Sequence, residues 1–265
     1  MPLLAPERHE RILSLLGREG TVSVQQLADH LGVTRETVRR DLDQLETEGS
    51  LRRIHGGAVP SSASSRAESS LQERLSRHAQ EKLRIAEAAL AFLPPAAGGS
   101  MIIDAGTTTE ALADLMAPGT VAGPDSHRFL ITNALPIAQK LSSSPGIEVE
   151  ILGGSIRGIT GAAVGAQTAT ALQRRRADVV FLGTNGVDST FGLSTPDTAE
   201  AAVKTALLEA GRQRVVLADS SKLGRTSLVQ FARLEDIDVL ITDAAPQGSL
   251  AQALTEAEVR VVVAS

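Results

Sequence analysis

Seven short aliphatic runs in the C-terminal two-thirds of the chain restrict its fold more than any other feature. They are SMIID, FLITN, IEVEILGG, DVVFLG, RVVLAD, DVLITD and VRVVVA, and most are separated by helical patterns. A strand that is apolar at successive positions is covered on both faces, and strand–helix alternation delivers such strands in parallel. The predicted class is therefore α/β, with a mostly parallel sheet. With five Phe, no Tyr and no Trp, its core has to be aliphatic. No internal repeat is found.

Upstream the pattern changes. PSSASSRAESS, Pro60–Ser70, is small and polar with nothing to bury, and reads as a linker. It separates a unit over residues 1–59 from one over 71–265, and 265 residues suffice for both. The first unit carries three helical patterns. Ile12, Leu13, Leu15 and Leu16 give the first an apolar stripe. Ser23 with Gln26 forms a capping box that opens the second, with Leu27 and Leu31 inward and Gly32 at its end. Thr34 caps the third, in which Val38, Leu42 and Leu45 recur at one face and Gly49 is the stop. Helix, short turn, helix over about residues 21–40 is a helix-turn-helix, and LRRIHGGA after it suits a hairpin or wing. Beyond the linker, ESSLQERLSRHAQEKLRIAEAALAFL predicts one long helix with Leu71, Leu75, Ala79, Leu83 and Ala86 near one stripe.

The third helix is charged against its own dipole. Arg35, Arg39 and Arg40 occupy its first half, and Asp43, Glu46 and Glu48 its second. Each such exposed charge costs roughly 0.3–1 kcal/mol. With Val38, Leu42 and Leu45 inward, Glu36 and Arg40 point away from the core, with Arg35 and Arg39 on one flank and Thr37 on the other. That places the arginines where a recognition helix meets base edges and phosphates. Arg52, Arg53 and His55 add a second basic group. The candidate DNA contacts are Gln25, Thr34, Arg35, Glu36, Thr37, Arg39, Arg40, Arg52, Arg53 and His55. The competing explanation is a solvated face laced by Glu36–Arg40 and Arg39–Asp43 pairs. The capped helix pair, the charge order and the basic hairpin together favour DNA. Residues 1–57 hold 8 Lys and Arg against 9 Asp and Glu, so binding would rest on specific contacts and on paired subunits.

LADHLGVTRETVRRDLDQLETEGSLRRIHGGAV, with its TVRRDL core and RIHGGA ending, resembles the DNA-binding signature of the DeoR family of bacterial transcriptional regulators. Thr34 stands where that family more often has Ser, and either residue caps a helix.

In the larger unit, IDAGTTTEALADLM sets Gly106, Thr107, Thr108 and Thr109 between a strand and a helix start. Unpaired N–H groups and hydroxyls there suit a phosphate group, although an ordinary threonine-capped turn has the same sequence. Further polar loops follow later strands: Thr132–Ala134, Gly153–Gly154, Gly183–Asp188 and Asp219–Lys222. In an open parallel sheet, ligands bind beyond the carboxyl ends of the strands. Asp, Asn and Lys side chains converging there would meet sugar hydroxyls, with Lys222 available to an anion. QEKLRIAEAAL, TNALPIA, GVDSTFGLST and LADSSKLG also resemble DeoR-family sensor motifs. The resemblance implies a winged helix-turn-helix followed by an α/β domain similar to ribose-5-phosphate isomerase and the CoA-transferases. It also implies a phosphorylated sugar or related metabolite as effector, held by Asp104, Gly106, Thr107, Thr108, Thr109, Asn133, Gly153, Gly154, Asp188, Glu200, Lys204, Asp219 and Lys222. Glu200 and Lys204 stand at i, i+4, where a plain surface ion pair is the alternative.

The expected protein is a homo-oligomeric regulator, a repressor of a sugar-use operon, with double-stranded operator DNA and a sugar phosphate as partners. No cofactor, metal or catalytic residue is expected. The absence of Cys favours a reducing, cytoplasmic setting and removes thiol chemistry and Cys-ligated zinc. No segment is long and apolar enough to span a bilayer, and the five His lack metal-ligand spacing. A net charge of −5 argues against a protein that coats nucleic acid over its whole surface. Two rival readings fall short. An isomerase could use Asp188 as base but lacks a second catalytic group at suitable spacing. An actin-like kinase would need more chain than the roughly 190 residues left for two lobes.

Overall fold

The computed structural model describes residues 5–19, 22–47, 50–54, 56–60, 71–117 and 126–265, with only the backbone at 17–19, 52, 54, 59, 60 and 71–73. The chain divides into two units, Met1–Ser69 and Ser70–Ser265. The expected linker beyond Pro60, His55 and the stop at Gly49 lie outside the described residues, while Pro60 itself ends a strand.

The first unit contains α1 (Ala5–Glu19), β1 (Val22–Ser23), α2 (Val24–Leu31), α3 (Arg35–Thr47), β2 (Leu51–Ile54) and β3 (Gly57–Pro60). Ser23 and Gln26 form the reciprocal capping box, and Gly32 closes α2 in the left-handed conformation at φ 64°. Thr37 N–H donates to Thr34 Oγ1 at 3.2 Å, the cap of α3. Ile12, Leu16, Leu27, Val38, Leu42 and Leu45 fill the core, each fully buried aliphatic side chain contributing about 1.5–3 kcal/mol. The predicted hairpin forms, with Leu51 opposite Pro60 and Ile54 opposite Gly57. It gains a third strand that the sequence did not announce, because Val22 and Ser23 pair with Ala58 and Gly57. A Cβ on Gly57 would run into the Val22 carbonyl, so only glycine lets β1 approach this closely.

The second unit opens with α4 (Leu71–Ser76) and α5 (Ala79–Ala89). The expected single helix is therefore broken. His78 adopts a left-handed conformation, φ 55°, between the two segments. The break re-aims the faces: Lys82, Ile85, Ala86 and Ala89 are buried, while Leu75 and Leu83 of the expected stripe are exposed.

Next come β4 (Ala97–Ile103), α6 (Thr107–Met116), β5 (His127–Thr132), α7 (Leu135–Leu141), β6 (Ile147–Ile151), β7 (Ser155–Arg157), β8 (Ala162–Val164) and α8 (Ala166–Leu172). They are followed by β9 (Ala177–Gly183), β10 (Gly186–Asp188), β11 (Gly192–Thr195), α9 (Thr198–Glu209), β12 (Gly211–Leu217), β13 (Val229–Ala232), β14 (Val239–Thr242), α10 (Gly248–Glu256) and β15 (Arg260–Val263). The seven predicted runs make one sheet in the order β15-β14-β12-β9-β4-β5-β6, parallel at every pairing. Alternation along β9 sends Val179 and Phe181 to one face, where α5, α6 and α7 pack. Val180 and Leu182 go to the other, against α9 and α10. Two antiparallel additions, β7–β8 and β10–β11–β13, were not expected.

Candidate nucleic-acid interface and effector site

On α3, the outward residues are those predicted. Thr34, Arg35, Glu36, Arg39 and Arg40 are exposed and Thr37 is half-buried. Arg39 and Arg40 approach the Glu36 carboxylate only to 3.7 Å, with 56% and 80% of their side chains exposed. Exposed pairs of this kind contribute at most about 1 kcal/mol, so both guanidinium groups remain available to a duplex. Gln25 on α2 is also exposed and donates to both Asp29 carboxylate oxygens at 2.8 Å. The alternative pairing of Arg39 with Asp43 is not the one found. Asp43 instead holds Arg53, whose N–H donates to Glu46 at 2.7 Å. The acids of the second half of α3 thus tie down β2, which supplies a structural reason for the anti-dipole order. The Arg53 guanidinium, expected to meet DNA, has a carboxylate partner within its own unit. The Arg52 side chain and His55 lie outside the described residues.

One residue escaped sequence reasoning. Asp41 is buried, and Arg8 of α1 donates to it through Nε and Nη2, both at 2.8 Å, with His9 at 3.2 Å. Burial opposes its charge, but the hydrogen bonds from Arg8 and His9 prevail and hold its carboxyl below the usual range. The signal was its position beside Val38, Leu42 and Leu45 on the inner face.

In the second unit, the polar loops do follow the carboxyl ends of β4, β5, β6, β9 and β12. Gly106 is the N-cap of α6, and no side chain caps this helix. The threonine-cap alternative is therefore not what the chain does; Thr109 turns its hydroxyl back to the Gly106 carbonyl at 2.8 Å. N–H groups of the first helical turn have no intrahelical acceptor and carry the positive end of the dipole. Thr107 and Thr108 flank that end, and among the described residues their hydroxyls make no hydrogen bond. A small cleft lies beside it, lined by Gly106, Glu110, Ala134, Thr160 and Arg74.

Several expected ligand residues make hydrogen bonds within the scaffold. Asp104, 1% exposed, pairs with Lys204 and accepts from Gly183 N–H at 3.3 Å, while Lys204 also donates to the Gly183 carbonyl at 2.8 Å. Burial pushes the Asp104 carboxyl above its ordinary range despite Lys204. Asn133 accepts from Ala105 N–H at 3.2 Å and donates to the Ala163 carbonyl at 3.3 Å, fixing the β4 and β5 loops against β8. Glu200 is buried and does not pair with Lys204. It accepts from Thr160 at 2.7 Å and from Thr195 and Arg157 at 3.3 Å. Glu200 and Lys204 thus do not form the surface ion pair that was the alternative for them.

Gly154, at φ 155°, follows Gly153, and a Cβ on it would strike Thr168; Thr168 in turn donates to the Gly153 carbonyl at 2.8 Å. Asp188 accepts from Phe191 N–H at 2.8 Å and from Thr190 N–H and hydroxyl at 2.9 Å. Those bonds hold its carboxyl below the usual range, which makes it a turn-forming group and a poor base. Asp219 accepts from Ser221. The Lys222 ammonium makes no hydrogen bond or ion pair among the described residues. Burial, followed by the pull of Asp219 and the push of Arg225, Arg74 and Arg77, leaves its ammonium below the ordinary lysine value. Of the predicted set, Gly106, Thr107, Thr108 and Lys222 keep unspent donors.

Comparison with known proteins agrees with this two-part layout. A family model described as the DeoR-like helix-turn-helix domain matches residues 8–63, and one described as the DeoR C terminal sensor domain matches residues 77–244. The HTH-type transcriptional regulator GlpR of Haloferax volcanii is 38% identical over 261 residues, covering 98% of each chain. The glycerol-3-phosphate regulon repressor of Escherichia coli is 32% identical over 250 residues, 94% of this chain and 95% of that one. Among solved structures, ribose 5-phosphate isomerase A from Methanocaldococcus jannaschii aligns over 55% of each chain at 16% identity with a TM-score of 0.40. Both of these relatives are transcriptional regulators. Matched in both units and aligned almost end to end with such regulators, the chain belongs to the DeoR family of helix-turn-helix transcriptional regulators.

Proposed function

We propose that this protein is a cytoplasmic repressor of a sugar- or polyol-phosphate operon, released from its operator by a phosphorylated metabolite. Residues 1–59 read DNA, 60–70 form the linker, and 71–265 sense the effector. The observation that carries the effector reading is the uncapped start of α6, with Thr107 and Thr108 hydroxyls unspent and Lys222 unpaired. Donors of each of these kinds suit a phosphate monoester. The DNA reading rests on the exposed Arg35, Arg39 and Arg40 at the front of a capped recognition helix. Two subunits would set these helices about 10 base pairs apart or a multiple of it. An effector shifts operator affinity only by its differential affinity for the bound and free arrangements, typically about 1–3 kcal/mol.

The test pairs a mobility-shift assay on the gene's own upstream DNA with a thermal-shift panel of sn-glycerol 3-phosphate, fructose 1-phosphate, ribose 5-phosphate and inorganic phosphate. Retardation at low salt, a raised melting temperature with one ester, and loss of retardation on adding it are expected. Arg40→Ala should weaken operator binding roughly ten- to a hundredfold if it reads a guanine. Thr108→Val should bind the operator but ignore the ester. No retardation at low salt refutes the DNA reading; a full ester response in Thr108→Val refutes the phosphate turn.

A further inference from the structure

Arg53 belongs to the wing, yet its charge is spent inside the DNA-binding unit. Its guanidinium is held by the Asp43 carboxylate, and its own N–H donates to Glu46 at 2.7 Å. The hairpin is anchored on both flanks. Ser50 N–H donates to the Leu45 carbonyl of α3 at 2.8 Å, and Val24 N–H of α2 donates to the Gly56 carbonyl at 2.9 Å. The Arg53 backbone therefore stands at a set height beside α3, with its side chain 30% exposed. Asp43 lies on the stripe of Arg39 and Arg40, three residues beyond Arg40 and four beyond Arg39. That is about 4.5 to 6 Å farther along the helix axis. Helical spacing offers Asp43 either of those arginines, and among the described residues it pairs with neither. Arg39 and Arg40 stay 3.7 Å from Glu36 and mostly exposed, while the cation from the wing is the one neutralised. A plain surface pair accounts for one contact but not for this division between the front of α3 and the wing.

We infer that Asp43 is a positioning residue that keeps Arg53 off the phosphate backbone, withholding one cation per subunit from the duplex. The inference rests on the DNA reading above. A phosphate contact strengthens binding to every sequence and carries no sequence information, whereas contacts to base edges discriminate. With Arg53 withheld, recognition is left to the exposed arginines at the front of α3. The withheld cation also bears on release. An effector typically changes affinity about 5- to 150-fold. Two released arginines, one per subunit, each strengthening the complex roughly three- to tenfold, would offset much of that range. Asp43 thus holds operator affinity low enough for a small molecule to undo.

The experiment uses the full-length protein and two duplexes of equal length, the gene's own upstream DNA and a scrambled sequence. Dissociation constants are measured from about 50 to 200 mM salt. Asp43→Asn should steepen the slope of log affinity against log salt by about one unit per subunit on both duplexes, and tighten binding roughly three- to tenfold per subunit. Asp43→Glu keeps the carboxylate and should keep the wild-type slope. Asp43→Asn combined with Arg53→Gln removes the pair as a neutral unit and should return the slope to the wild-type value. A role confined to folding lowers the melting temperature without steepening the slope, so an unchanged or flatter slope in Asp43→Asn overturns the inference. A double variant that keeps the steeper slope also overturns it, because the lost acid and not the released arginine is then responsible. So does a double variant flatter than the wild type by about one unit per subunit, which puts Arg53 on a phosphate in the native complex; this arm decides the matter even where Asp43→Asn alone fails to fold. Retardation of neither duplex by the wild type at low salt refutes the DNA reading itself, whereas retardation with any of the overturning slopes refutes only the role of Asp43.

Discussion

Replacing Lys204 by Met tests how the effector loops are held. Among the described residues the ammonium is the only cationic partner of the Asp104 carboxylate, which is 1% exposed and otherwise accepts one N–H from Gly183 at 3.3 Å. Breaking one half of such a buried pair costs about 3–5 kcal/mol. The Gly183 carbonyl also loses its 2.8 Å donor, worth about 1 kcal/mol. Protonation limits the damage, because burial already pushes the Asp104 carboxyl upward. We therefore expect a loss of roughly 3–4 kcal/mol at neutral pH. Adding Asp104→Asn to that variant removes the stranded charge and should recover about 1–3 kcal/mol. The measure is the opening free energy of β4 and β9 amides by native-state hydrogen exchange in the full-length protein. Single variants costing under about 1 kcal/mol each, with additive effects, would refute the pair as the clamp between these strand ends. Gly106 and Gly183 pass close to one another, so the same variant should also weaken the phosphate-induced rise in melting temperature.

Two further outcomes follow from charges placed by the fold. Asp41→Asn should destabilise the DNA-binding unit by about 2–4 kcal/mol, read by thermal unfolding. In the wild type, the Asp41 contribution is present above the ordinary carboxylate value of 3.8 and is lost as pH falls through its lowered folded value; equal stability of Asp41→Asn at neutral pH would remove the Arg8 link. Lys82 and Lys222 lie below the ordinary lysine value of 10.5, first through burial and against the pull of Asp219, with Lys222 and Arg74 lowering Lys82 further and Arg225, Arg74 and Arg77 lowering Lys222. Their charged forms penalise the fold, so stability should rise with pH through those lowered values up to 10.5; thermal unfolding that stays flat over that range contradicts the burial of these ammonium groups.

Local rules made much of the fold legible. The Ser23–Gln26 box, Gly32 and the Val38, Leu42, Leu45 spacing each have a mechanism that acts within a few residues, and each stands as expected. The seven sheet strands were readable because burial on both faces leaves no polar alternation to mislead. The break at His78 was not readable. No Gly or Pro marks it, and a tertiary contact, the Lys82 ammonium on the Arg74 and Arg77 carbonyls, accompanies it. One signal was available: Lys82 falls on the apolar stripe of Ile85, Ala86 and Ala89, where a lone cation needs buried partners. At the effector site, sequence located the loops but not the direction of each side chain. Asn133 and Glu200 are turned inward by the β7–β8 hairpin, which supplies Arg157, Thr160 and the Ala163 carbonyl from far along the chain.

The two-residue strand β1 has a mechanical consequence for DNA recognition. Ser23 caps α2 with its side chain while its backbone pairs with Gly57 of the wing. Because the same residue belongs to both, the helix pair and the hairpin cannot hinge against each other without unmaking the cap. When an operator departs from ideal groove spacing, the protein has no internal joint here to absorb the mismatch, so the duplex itself must bend or change its groove width.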